Sequence, residues 1–129
     1  MRLSLAVIAG VAALTASAVA LADPAPSRDC FASTGWQGWS ASEDGNTLYL
    51  QVRQDDIYRV GLSEGSRVRD RGGRFLVNRV RGSGWICSAI DLDLTLSDQN
   101  GLQRSLIATS LHKLSAEEVA ALPAEDRPS

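Results

Sequence analysis

The sequence predicts a mainly β fold, a small antiparallel β-sandwich or partly open barrel of about six or seven strands ending in one short C-terminal helix. Three observations predict it. Residues 47–53 (Thr-Leu-Tyr-Leu-Gln-Val-Arg) alternate, which places Leu48, Leu50 and Val52 on one face. Residues 90–96 (Ile-Asp-Leu-Asp-Leu-Thr-Leu) alternate without interruption, with Ile90, Leu92, Leu94 and Leu96 expected inward and Asp91, Asp93 and Thr95 outward. Ser115-Ala116-Glu117-Glu118 is a capping box: the Ser hydroxyl accepts a backbone N–H while the Glu three residues on reaches back.

The elements follow in order. Glu43-Asp44-Gly45-Asn46 is a turn leading into the first alternating run. Gln54-Asp55-Asp56 turns the chain into residues 57–62, where Tyr58, Val60 and Leu62 share a face, so the two runs predict a hairpin. Residues 63–73 are a polar, Arg-rich connection. Residues 74–81 (Arg-Phe-Leu-Val-Asn-Arg-Val-Arg) read as a strand ended by Gly82-Ser83-Gly84. After the 90–96 strand, residues 97–101 turn the chain into a returning strand over 103–111, with Leu102, Arg104 and Leu106 on one face at its start. The capped segment then continues through Val119 and Leu122, which can pack on the sheet, until Pro123 stops it.

The domain so described occupies residues 30–123. Before it, Met1-Arg2 is a positive start, residues 3–22 carry no charge, and Ala20-Leu21-Ala22 supplies small residues at a cleavage site. This is the pattern of a secretory signal peptide, expected to be cleaved after Ala22, with Ala20 as the competing site. A membrane anchor is the alternative, but the second half of the run is only weakly hydrophobic, so no transmembrane segment is expected after cleavage. Residues 23–29 read as a flexible polar leader and 124–129 as a tail. The expected location is the periplasm or the exterior.

Removing residues 1–22 takes away Arg2 and shifts the net charge of the 129-residue chain from −2 to about −3. Such a balance argues against a general nucleic-acid binder, which carries a strongly basic face. Cys30 and Cys87 are the two cysteines. An even count in an exported chain predicts a disulfide, Cys30–Cys87. A metal pair lacks further ligands, since His112 is the one histidine. A redox pair would need closer cysteines.

Candidate chemistry is sparse. His112 ends the last strand without a recognisable nucleophile motif. Asp91 and Asp93 on one strand face can hold a cation, yet the calcium-loop spacing fails at Thr95. They equally suit the wet face of an amphipathic strand. No cofactor and no metal site is expected. Residues 66–81 carry six Arg (Arg67, Arg69, Arg71, Arg74, Arg79 and Arg81) against Asp70 alone. Arg67, Arg69, Arg71 and Arg74 are the candidate anion-binding residues, because guanidinium forks match carboxylates and phosphates. Charged side chains also blunt exposed strand edges, and a GC-rich genome enriches Arg, so both bland readings stand beside that one. Trp36 and Trp39, three apart, are expected on opposite faces of a strand, one in the core and Trp39 a candidate aromatic contact. Trp85 is expected to pack on the disulfide.

Cys30, the run Gly82-Ser83-Gly84-Trp85-Ile86-Cys87 with Asp91 after it, and the ending Leu114-Ser115-Ala116-Glu117-Glu118-Val119-Ala120-Ala121-Leu122-Pro123 together resemble a family of small exported proteobacterial proteins of unknown function. The resemblance spans most of residues 30–123 and implies no activity, substrate or catalytic residue. The expected function is that of a non-enzymatic exported binding protein for an anionic ligand or envelope surface. The alternatives are an accessory protein with a periplasmic protein partner and, least supported by motifs, a small hydrolase or metal-dependent enzyme.

Overall fold

The computed structural model describes residues 29–68 and 73–128. Nine strands, all paired antiparallel, form three sheets among these residues. The first sheet joins β1 (Phe31–Ala32) to β6 (Trp85–Ile86). The second has the order β2-β3-β4-β9, built from Trp36–Ala41, Thr47–Val52, Asp56–Leu62 and Ala108–Lys113. The third has the order β5-β7-β8, built from Arg74–Asn78, Leu94–Asp98 and Gln103–Leu106. The fold is mainly β and sandwich-like, with no closed barrel.

The two larger sheets bury one core between them. Leu48, Leu50 and Val52 from β3, with Tyr58, Val60 and Leu62 from β4, meet Leu94 and Leu96 from β7 and Leu106 from β8. The alternation of the 47–62 hairpin is therefore realised residue by residue, and its period of two is the cause. Phe31 adds its ring, 4.6 Å from that of Tyr58. The opposite face of the four-stranded sheet carries Tyr49 and Ile57, which pack with Leu114, Val119 and Leu122. The helix α1 (Ala116–Ala121) thus covers that face. Ser115 caps it as predicted: its hydroxyl accepts from the Glu118 amide while Glu118 accepts from the Ser115 amide.

Several expectations are corrected. Residues 90–96 are not one strand. Ser88 caps a 3₁₀ turn, Ala89–Asp91, and β7 begins only at Leu94. Ile90 is consequently 85 % exposed, and Thr95 is buried. A local Ser88–Asp91 capping box competes with the sheet for this segment and wins. The run 103–111 divides at Ile107 into β8 and β9, which belong to different sheets. Ser66, itself buried, accepts the Ile107 N–H at that corner. Leu102 lies before the strand and is exposed.

Trp36 and Trp39 do not lie on opposite faces. Gln37 is an extra residue: Trp36 stands opposite Val52 and Gly38 opposite Gln51. This bulge shifts the alternation by one, so Trp36, Trp39 and Ala41 all face the main core. The segment read as a tail forms a 3₁₀ turn, Ala124–Asp126, held on β2 by the Ser40 hydroxyl donating to the Asp126 carbonyl.

Candidate functional site

The disulfide is formed between Cys30 and Cys87, 57 residues apart. The cysteines flank the β1–β6 pair, Cys30 just before β1 and Cys87 just after β6, which brings them opposite each other. Asp91 Oδ2 accepts the backbone N–H groups of Cys87 and Ser88, each at 3.0 Å. Those two donors hold its carboxyl below the usual carboxylate range. Asp91 is therefore a cap beside the disulfide rather than half of a strand-borne carboxylate pair. Its expected partner, Asp93, instead accepts from Arg81, with Nη2 at 2.9 Å and Nε at 3.0 Å. Trp85 lies opposite Ala32 on β6 and is 40 % exposed.

The Arg-rich stretch is divided by the fold. Arg67 donates from Nε to Asn46 Oδ1 at 3.0 Å, and its carbonyl accepts from Arg104 Nη2 at 2.7 Å. It ties the stretch to the 43–46 turn. There Gly45 adopts φ +75°, and a Cβ on it would meet the Val68 carbonyl at 2.4 Å. Arg69 and Arg71 lie outside the described residues. Arg74 starts β5 opposite Asp98 and is half-buried. Arg79 follows β5, is exposed, and makes no ion pair among the described residues. Arg67 and Arg74 thus belong to two different surroundings, and among the described residues of the stretch the exposed cations are Arg79 and Arg81, beyond the end of β5.

Sequence reasoning missed what accompanies them. Phe75 and Val77 are exposed on β5, at 59 % and 49 %, and Val80 beyond it is equally open. The signal was present: Phe75-Leu76-Val77 is apolar on both faces of one strand, and only Leu76 packs against the core. Trp39, proposed as an aromatic contact, is instead half-buried against the core.

A second constellation surrounds His112. Its Nε2 lies 3.1 Å from Glu118 Oε1, and Arg59 is 3.9 Å from the other oxygen. The His112 contact, then the Ser115 amide, holds the Glu118 carboxyl below its usual range. The nearby Ser115 hydroxyl is occupied by the Glu118 amide. These contacts fasten the helix start to β9. An open cleft of about 710 Å³ runs alongside, lined by Asp29, Asp55, Asp56, His112, Leu114 and Val119 among others. Among the described residues, no three His, Cys, Asp or Glu side chains are grouped to hold a metal ion. No protein-family model, curated protein or solved structure matches the chain.

Proposed function

We propose that this protein is an exported, non-enzymatic binding domain for an anionic ligand, with β5 and the residues that follow it as the contact. The observation that carries the reading is the exposure of Arg79, outside any ion pair among the described residues, at the end of a segment holding six Arg and one Asp over residues 66–81. A guanidinium turned to solvent keeps all its donors for an incoming phosphate or carboxylate. Export is supported by the signal-like residues 1–22 and is compatible with the Cys30–Cys87 bridge, since disulfides persist in oxidising compartments. Mass measurement of the protein recovered from a periplasmic fraction tests it. A chain still carrying residues 1–22 and confined to the cytoplasm would contradict export.

The binding reading is tested with a soluble polyanion, inorganic polyphosphate, titrated into the purified protein by calorimetry. Charge reversal at Arg79→Glu is expected to weaken binding strongly, and raised salt to weaken that of the parent. Unchanged affinity in this variant would remove the reading. A protein partner is the second reading, favoured by the open cleft beside α1 with its apolar Leu114 and Val119 and its Asp29, Asp55 and Asp56 rim. Cross-linking from a benzophenone side chain placed at Ala116, in that lining, is its test.

A further inference from the structure

An anion can be free in solution or carried on the surface of an amphiphile, and the outer face of β5 distinguishes the two. The face of a sandwich turned away from its core is ordinarily polar. Along β5 exposure alternates strictly: Arg74, Leu76 and Asn78 are half-buried, while Phe75 and Val77 are exposed, as is Arg79 just beyond the strand. Phe75 and Val77 therefore stand side by side on the solvent face, about 6.6 Å apart along the strand, with the exposed Arg79 continuing the row. Their neighbours across the ladder are uncharged. Ser97 lies opposite Phe75 and Thr95 opposite Val77 on β7, and Gln103 and Ser105 follow on β8. At the end of the face, the Asp93 carboxylate is already matched by Arg81. Exposed apolar side chains bordered by guanidinium groups form an amphipathic surface.

Two occupants compete for such a surface. β5 is an edge strand, paired with β7 alone, so a second copy can in principle pair with it. That arrangement sets one Arg-rich edge against another, which is the device by which edges repel self-association. A bilayer bearing anionic headgroups meets both properties at once. Apolar side chains enter the boundary between headgroups and acyl chains, and each nearby Arg gains from the negative surface potential.

We propose that the outer face of β5 docks this domain on an anionic phospholipid bilayer, with Phe75 and Val77 entering the interface and Arg79 meeting the lipid phosphates. This rests on the anionic-ligand reading and names what presents the anion. The test is co-sedimentation of the purified, disulfide-bonded protein with phosphatidylglycerol vesicles and with pure phosphatidylcholine vesicles, alongside the polyphosphate titration. Partition into phosphatidylglycerol vesicles is expected, with little into phosphatidylcholine. The variant Phe75→Thr with Val77→Thr keeps β-favouring residues at exposed positions. It is expected to lose about tenfold or more in vesicle binding while binding polyphosphate as before. Near-ultraviolet circular dichroism confirms that it is folded. In a separate variant, Phe75→Trp, indole fluorescence is expected to be quenched by vesicles with brominated acyl chains.

Vesicle binding that is indifferent to the Phe75 and Val77 changes, or an unquenched indole at position 75, overturns the docking face while leaving anion binding standing. So does polyphosphate binding without any vesicle binding. Absence of binding to both probes overturns the docking and the anionic-ligand reading together. A concentration-dependent dimer that disappears in the Phe75→Thr and Val77→Thr variant, without vesicle binding, assigns the face to a second copy and overturns the bilayer.

Discussion

Asp91 concentrates several duties in one carboxylate. Its Oδ2 receives two backbone N–H groups, from Cys87 and Ser88, at 3.0 Å each, and lies 3.3 Å from the Ser88 hydroxyl. It thereby closes the capping box of the Ala89–Asp91 turn and fixes the chain where it leaves the disulfide. Removing such a cap costs about 0.5–2 kcal/mol, and Asp91, only half-buried, places the expected loss for Asp91→Ala at the low end. The pH dependence has a definite sign. Hydrogen bonding from the Cys87 and Ser88 amides lowers the folded-state pKa of Asp91. A depressed carboxylate stabilises the fold above its unfolded value of about 3.9, and that contribution is lost as pH falls through the folded value. Urea denaturation of the parent and Asp91→Ala should therefore differ at neutral pH and converge as the pH drops below about 4. A gap that persists unchanged at pH 2 would mean that the carboxylate charge has no part in it.

Among the elements, β2 makes the most specific demand on its length. Its bulge at Gln37 is what lets Trp36 and Trp39 both reach the core. Deleting Gln37 converts Trp36-Gly38-Trp39 to a regular alternation against Val52, Gln51 and Leu50, and both indoles stay inward. Deleting Ser40 instead reverses the faces on one side of the cut and breaks the contact with Asp126. The first deletion is expected to cost under about 1 kcal/mol and the second more than about 3 kcal/mol, the scale of a lost core aromatic, as read from urea midpoints. Similar costs would show that the bulge does not set the faces. The same strand explains what was legible beforehand. The 47–62 hairpin and the capped helix are read correctly from sequence because period, turn and cap agree locally. The Trp placement is not, because one inserted residue inverts a parity count and leaves no mark on composition. Nor is the 3₁₀ turn, because Ile90-Asp91-Leu92 imitates a strand until the Ser88 cap is considered. In the candidate site, the Arg charge was countable, but the exposure of Phe75 and Val77 depends on which face of β5 meets the partner sheet. That is a tertiary fact.

Across the whole molecule, the one covalent tie spans much of what must assemble. Between Cys30 and Cys87 lie β1 to β6, so the closed loop contains most of the four-stranded sheet and the β5 edge of the other. β7, β8 and β9 enter from outside it and complete both sheets. Long-range antiparallel pairing of this kind must overcome a large loop-closure entropy before core contacts repay it. A bridge closing 57 residues removes about 4 kcal/mol of that cost from the unfolded state. Small domains carry a total stability of only about 5–15 kcal/mol, so the reduced protein sits near the threshold. Cys87 is an exposed residue and Cys30 a buried one. With a urea m-value near 1–2 kcal/mol/M, reduction should lower the urea midpoint by about 2–4 M. The double variant Cys30→Ala with Cys87→Ala should reproduce the shift without reductant. Because Asp91 grips the Cys87 amide independently of the bridge, the loss from Asp91→Ala should persist after reduction if folding remains cooperative. If the loss vanishes once the bridge is open, the Ser88–Asp91 turn is held by the disulfide rather than by its own cap. The local and covalent constraints would then be one constraint.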